Sequence, residues 1–379
     1  MRCKKIANQN IKEYLQKLDV DRGGVSILAK KTQLHLIEIT NLHVGAANIL
    51  KQDALSVGAD TAVPRGTIIA KEPYVNVLLI ATARELEKLS KKLLVQPFGL
   101  KEIAHFLESL LKVKKTKSVQ IMGVINANDD SFFSGSRFRD KDAVEKIEQM
   151  IADGADIIDI GGVSSRPGSQ SVSKEEELAR VKPILDAIAH HKLYEKVTFS
   201  IDSYEPLVIA KALESGFGII NDITGLQNDE VVKLGGAYNA TVVAMHMQGT
   251  PQTMQKAPHY DDVVLDIYDA FEKMIQKADS FGVKELVLDV GIGFGKTLEH
   301  NIALIQNLEH FLTLGKPLLV GASRKSMIDM ISPSTPQERL AGTLAIHLES
   351  VKNGASIVRV HDVYEHKQAL LVQQKFWNN

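Results

Sequence analysis

Polar residues punctuate the later two-thirds of this chain at a regular interval. Asn126, Asp159, Asp202, Asn221 with Asp222, His246, Asp289, then Ser323, Arg324 and Lys325, then Arg359, His361 and Asp362 each fall at the end of a short apolar run. Carboxylates, amides, cations and imidazoles are the groups that hold a charged small molecule and handle its protons. Buried strand ends do not collect such groups without partners, because desolvating them costs several kcal/mol. Segments this far apart in sequence therefore read as converging on one site. Simpler chemistries are excluded. VGIGFGKT (290–297) is like a phosphate-binding loop, but that motif needs Gly where Val290 stands, and a dinucleotide fingerprint needs Gly where Lys296 stands. GGVSSRPGS (161–169) lacks the strand–turn–helix spacing of such a fingerprint. His246 and His259 lack zinc-ligand spacing and read as structural or surface histidines. The single cysteine, Cys3, excludes a disulfide framework and a multi-cysteine metal centre.

Periodicity identifies the elements that must position these groups. The runs 118–126, 155–162, 196–202, 217–225, 241–247, 285–293, 317–323 and 356–362 are apolar and β-rich without alternation, as strands buried on both faces are. Helical periodicity follows each; in 140–154, Val144, Ile147 and Ile151 fall at i, i+3 and i+7. The first and last runs start about 240 residues apart, so one unit takes about 34, which suits a βαβ repeat. Eight such units within 116–379 predict a (β/α)8 TIM barrel of the α/β class, whose chemistry sits at the C-terminal ends of its strands. A doubly wound open sheet is the competing architecture. Residues 1–115 differ. Strands are predicted near Val25–Leu28, Leu34–Ile39 and Val75–Ile80, and helices near Ala46–Leu55, Thr82–Leu93 and Leu100–Leu111. A loop is predicted over 58–67 by composition. This predicts a small α+β N-terminal domain without a catalytic constellation, bounded by the lysine-rich stretch 113–118.

The 379 residues carry 45 basic and 46 acidic side chains, a formal net charge of -1. That balance argues against a protein that coats nucleic acid, though not against a local basic pocket. The N-terminal MRCKKIANQN is basic without an apolar core behind it, unlike a signal peptide. The longest apolar stretch, near 75–83, is too short to span a bilayer. A soluble cytoplasmic protein, with no membrane association, is the expectation.

In chain order stand IMGVINANDDSFFSGSR (121–137), DIGGVSSRPGS (159–169), SIDSYEP (200–206), INDITG (220–225) and MHMQGTP (245–251). LDVGIGFGKT (288–297), GASRKS (321–326) and RVHDV (359–363) follow. Singly several are weak, but in this order, over 118–372, the chain resembles dihydropteroate synthase, a pterin-binding barrel. The resemblance implies a transferase of folate biosynthesis that joins para-aminobenzoate to 6-hydroxymethyl-7,8-dihydropterin diphosphate and releases diphosphate and 7,8-dihydropteroate. It also implies Mg²⁺, a homodimer, and sulfonamides as competitors for the aminobenzoate slot.

Residue by residue, the resemblance implies that Asp289 accepts both donors of the pterin edge, a bidentate geometry. Asp202 and Asn221 match further pterin contacts, Lys325 a donor to ring acceptors, and Arg359 a guanidinium along the pterin that reaches toward phosphate. Asp202, Lys325 and Arg359 are the residues implied to act in catalysis. Asn126, Arg166, Arg359 and His361 are implied for the diphosphate, with Asn126 as the magnesium ligand. Ser165, Pro167, Phe294, Lys325 and Ser323 are implied to line the aminobenzoate slot. Loops 127–139 and 162–172 are expected to close over substrate and exclude water. The chain departs from the family pattern at Asn128 and Asp129, where Thr-Pro is usual. It departs again at Val163 for Glu, Ser165 for Thr and Val290 for Pro. Two rivals bind pterins in similar barrels. A methyltetrahydrofolate–corrinoid methyltransferase would not need the 322–325 and 359–362 cluster. A catalytically silent scaffold would not need Asn126, Arg166, Lys325, Arg359 and His361. Residues 1–115 do not resemble the kinase or aldolase partners sometimes fused to this synthase.

Overall fold

The computed structural model describes residues 2–6, 10–113, 115–116, 118–127, 139–163 and 172–378, with only the backbone for 139–142 and 377–378. Two compact units emerge: Met1–Lys114 together with Gln374–Asn379, and Lys115–Gln373.

The first unit is built on a three-stranded antiparallel sheet. Its strands are β1 (Leu34–His43), β2 (Asp60–Ala62) and β3 (Tyr74–Thr82), in the order β1-β3-β2. Alternation along β3 buries Val75, Val77, Leu79 and Ala81 on one face. That face meets Leu50 and Ala54 of the helix Val44–Val57, Leu86, Leu89 and Leu93 of Ala83–Leu93, and Leu100 and Leu107 of Leu100–Lys112. Thr82 and Glu85 form a reciprocal capping box that starts Ala83–Leu93. Two expectations fail in this unit. Val25–Leu28 is helical, within Arg22–Lys31. Only Val25 and Ala29, one helical turn apart, are buried, while Ile27 and Leu28 are exposed. Three apolar residues interrupted by Ser26, behind two glycines, carry too little pattern to separate strand from helix. The predicted loop 58–67 contains β2, a three-residue edge strand that pairs with Leu78–Ile80.

The second unit is a closed barrel of eight parallel strands. They are β4 (Gln120–Asn126), β5 (Ile157–Gly161), β6 (Thr198–Asp202) and β7 (Ile219–Asp222). β8 (Thr241–Met245), β9 (Leu286–Asp289), β10 (Leu318–Val320) and β11 (Ile357–Val360) complete it. The architecture is therefore a (β/α)8 barrel, and the doubly wound sheet is excluded. One buried apolar residue from each of seven strands meets in the interior: Met122, Ile157, Ile219, Val243, Val287, Leu319 and Ile357. A strand returns to the same face every second residue. Two positions further along, the same interior face of β5, β7, β9 and β11 therefore carries Asp159, Asn221, Asp289 and Arg359. An apolar floor thus lies directly beneath a polar layer, at the end of the barrel where the strands finish.

Candidate active site

Arg359 is the hub of the polar layer. Its Nε donates to Asp159 Oδ2 at 2.6 Å, and its Nη2 donates to Asp202 Oδ2 at 2.6 Å. Asn221 Nδ2 donates to the same Asp159 oxygen at 3.1 Å. Asp202 and Asn221 are direct register partners on β6 and β7, so their backbones place both side chains on one patch. Burial pushes the Asp202 carboxyl up to about 7, against the pull of the Arg359 guanidinium. Burial opposes the charge on Arg359, yet Asp159 and Asp202 more than offset it and hold the guanidinium firmly protonated.

Asp289 stands at the end of β9. Its Oδ1 accepts from the Gly291 backbone N–H at 2.8 Å. Burial raises its carboxyl, while that hydrogen bond and the nearby Lys325 lower it. Lys325 Nζ donates to the Ile292 carbonyl and lies 4.0 Å from the centre of the Phe294 ring. Burial pushes its ammonium down to about 7, against the attraction of Asp289. Gly293 has φ 81, and a Cβ there would stand 3.1 Å from Lys325 Cδ. The glycines of this turn therefore leave room for the lysine chain. Phe294 itself is buried with Ile223, Met245 and Met254.

Ser323 and His361 face each other across the ends of β10 and β11. Ser323 Oγ lies 2.9 Å from His361 Nδ1 and accepts from the His361 backbone N–H at 3.2 Å. Arg324 and Asp362, neighbours of the site in sequence, form a two-point ion pair with each other at 3.1 and 2.5 Å. Asp222 accepts from the backbone of Thr224 and Leu226 and so knots its own loop. Asn126 is half-buried at the end of β4. Ser165, Arg166, Pro167, Asn128, Asp129 and most of loops 127–139 and 162–172 lie outside the described residues.

The structure thus brings Asp202, Asn221, Asp289, Lys325, Arg359, Ser323, His361 and Phe294 to one end of the barrel. Two contributors carried no role among the substrate and metal residues implied by the sequence. Asp159 holds both Arg359 and Asn221; its signal was its strand-end position two residues beyond Ile157. Lys296 is buried, and its Nζ reaches His246 Nδ1 at 3.1 Å, the His246 carbonyl at 3.2 Å and the Phe294 carbonyl at 2.9 Å. It ties the turn that carries Phe294 to the end of β8. Burial pushes it down to about 7, and burial beside Lys296 pushes His246 down to about 3. His259 is exposed near Asp261.

Among the described residues no group of three His, Cys, Asp or Glu could hold a metal ion. Asn126 offers a single neutral, hard oxygen. That donor suits Mg²⁺ whose remaining oxygens come from phosphate and water. No helix among the described residues is long and apolar enough to cross a membrane.

A family model described as pterin binding enzyme matches residues 122–361. A bifunctional dihydropteroate synthase/dihydropteroate reductase of Helicobacter pylori is 42% identical over 366 residues, 97% of this chain and 96% of that protein. The dihydropteroate synthase of Escherichia coli is 43% identical over 255 residues, 66% of this chain and 89% of its own length. Among solved structures, Thermus thermophilus dihydropteroate synthase in complex with 4-aminobenzoate is similar with a TM-score of 0.61 at 38% identity, covering 68% of this chain and 94% of its own.

Proposed function

Because this chain belongs to the pterin-binding enzymes, and within them to the dihydropteroate synthases, we infer that it condenses 6-hydroxymethyl-7,8-dihydropterin diphosphate with para-aminobenzoate. The products are 7,8-dihydropteroate and diphosphate. The observation that carries this is the polar layer itself, in which Asp289 and Lys325 share one end of the barrel with the cluster of Asp202, Asn221 and Arg359 around Asp159.

The chemistry assigns each side chain work. The pterin edge presents two adjacent donors, which a carboxylate at Asp289 accepts together. Those donors favour the ionised carboxylate and so counter the effect of burial. Lys325 donates to the ring's acceptors from above Phe294. The C–O bond to diphosphate breaks with its electron pair leaving on oxygen, and the amine lone pair forms the new C–N bond. Positive charge that develops on the pterin methylene is favoured by the buried carboxylates of Asp202 and Asp289. The amine is neutral at pH 7 and loses its proton only after attack, so no strong base is required. Arg359 and His361 bind the departing diphosphate, with Arg166 from loop 162–172. Mg²⁺, held by Asn126 and substrate oxygens, would neutralise leaving-group charge. Ser323, Phe294, Ser165 and Pro167 receive the aminobenzoate. We propose further that the enzyme is a cytoplasmic homodimer and that sulfonamides compete with para-aminobenzoate.

Diphosphate release tests this directly. With Mg²⁺ and the pterin diphosphate, release depends on para-aminobenzoate, dihydropteroate appears one-for-one, and Lys325→Ala abolishes both. Pterin binding without turnover would favour the silent scaffold instead.

One observation supports a second activity. The Helicobacter relative named as both synthase and reductase aligns over 97% of this chain, whereas the Escherichia synthase aligns over 66%. Reduction of dihydropteroate by a soluble hydride donor is therefore proposed beside the synthase reaction. Oxidation of NADPH or reduced flavin that depends on dihydropteroate would establish it, and its absence with both donors would remove it.

A further inference from the structure

β10 and β11 stop pairing early. Their ladder consists of Leu319 against Ile357 and Val320 against Val358, although β11 continues to Val360 along β4. Extended by three residues, the same register sets Ser323 against His361, and both belong to the site. Ala322 is fully buried, and a buried backbone N–H needs a partner. The partner is a side chain. The Ala322 N–H donates to His347 Nε2 at 3.0 Å, from the helix Leu340–Lys352. His347 Nδ1 lies 2.9 Å from His366 Nε2, on the helix that begins at Val363. His366 Nδ1 lies 2.6 Å from the carbonyl oxygen of Asp362. Both imidazoles are buried, at 1% exposure each.

The two ends fix every proton in this chain of hydrogen bonds. A backbone N–H only donates and a carbonyl only accepts. His366 must therefore carry its proton on Nδ1 and leave Nε2 free to accept. His347 must donate from Nδ1 and accept on Nε2. One arrangement satisfies all three bonds: two neutral imidazoles, each protonated on Nδ1. An added proton on either ring sets two N–H groups face to face. Burial lowers the proton affinity of both rings, and for His347 the nearby His366, Lys325 and His361 lower it further. The Asp362 carbonyl, the Asp362 carboxylate and Glu365 oppose the effect at His366.

We propose that His347 and His366 are positioning residues: a neutral two-imidazole bridge that takes the place of the missing β10–β11 rungs and sets the separation of Ser323 and His361. The bridge runs from Ala322 to Asp362, one residue from each of those side chains. It acts behind the Ser323–His361 contact, touching neither substrate. The consequence reaches the aminobenzoate end through Ser323 and the diphosphate end through His361, so the proposal rests on the synthase reading above.

The full-length enzyme provides the test. Long-range ¹H–¹⁵N spectra of histidine-labelled protein at pH 7.5, assigned with His347→Gln and His366→Gln, should show two neutral rings protonated on Nδ1. Steady-state kinetics should show the KM values for para-aminobenzoate, through Ser323, and for pterin diphosphate, through His361, each raised about tenfold in His347→Leu and in His366→Leu, with kcat within about threefold. His347→Gln, which keeps one acceptor and one donor, should recover most of the loss. Protonation on Nε2, a charged ring at pH 7.5, or an unchanged KM for para-aminobenzoate in both leucine variants overturns the proposal. If the leucine variants do not fold, the tautomers and the His347→Gln kinetics decide it. Absence of turnover in the unmodified chain is a different failure: it removes the synthase reading, and the positioning role with it.

Discussion

Asp159, a strand-end carboxylate to which the family resemblance assigned no ligand role, sets the electrostatics of the site. It is fully buried, and one of its oxygens serves both Arg359 and Asn221. Removing its charge leaves Arg359 with Asp202 alone. Asp159→Asn is expected to lower kcat/KM for the pterin diphosphate about tenfold, the equivalent of ~1.4 kcal/mol, in an assay at saturating para-aminobenzoate. An unchanged value would mean that Asp202 orients Arg359 unaided. Lys325 gives a pH signature. Burial brings its ammonium down to about 7, so the free enzyme carries the charge below that pH and loses it above. Asp202 ionises near the same pH, so the profile of kcat/KM for the pterin diphosphate should be a bell centred near pH 7, with Lys325 as its falling limb. In Lys325→Arg, whose guanidinium does not titrate in this range, that falling limb should be absent, although the plateau is lower.

At the scale of elements, the turn after β9 is held to narrow tolerances. Gly291 has φ 68, and a Cβ there would lie 2.0 Å from the His246 carbonyl oxygen. Gly282 has φ 77 but open space around its missing Cβ. Gly282→Ala should cost about 1 kcal/mol of unfolding free energy, the backbone penalty alone, whereas Gly291→Ala should cost at least about 3 kcal/mol because backbone must move as well. Urea midpoints of the two variants separate these cases. The imidazole bridge makes an element-scale prediction for stability. His347 and His366 are held below the ordinary histidine value of 6.5. The unfolded chain therefore takes up protons that the folded chain refuses as pH drops below 6.5. The stability associated with the bridge is complete above that pH and is lost progressively below it. Subtracting the urea stability of the His347→Leu/His366→Leu double variant from that of the wild type should give a difference that shrinks from pH 7 to pH 5.

For the whole molecule, the informative feature is that each unit has its own core. Leu50, Leu79, Leu86, Leu93 and Leu107 close one, and the barrel interior closes the other. Cores of this kind open separately unless an interface couples them. Native-state hydrogen exchange should therefore resolve two opening free energies, one for amides of β1 and β3 and another for amides of β4 to β11. A single shared value would show that the units unfold as one. The relative that aligns with nearly the whole chain carries the counterpart of the first unit as well, so this unit is common to both proteins.

The sequence by itself determined the barrel and most of its site. Continuous apolar runs at a regular interval specify buried parallel strands, and strand-end polar residues identify the functional face, because both signals are local. Asp202, Asn221, Asp289, Lys325, Arg359, Ser323 and His361 were legible in this way. Weaker patterns misled: three apolar residues and Ser26 at Val25–Leu28 fit either period, and a three-residue edge strand at Asp60–Ala62 carries almost none. Partnerships were decided only by the tertiary structure. Arg359 is 200 residues from Asp159 and 157 from Asp202, and nothing in either segment specifies which carboxylate it takes. The same holds for Lys296 against the end of β8, and for His347 and His366, which nothing in their own segments sets apart until the gap between β10 and β11 places them between a buried donor and a buried acceptor. Side-chain type is written in the sequence; which unsatisfied group a side chain must meet depends on where closure of the barrel leaves backbone without a rung.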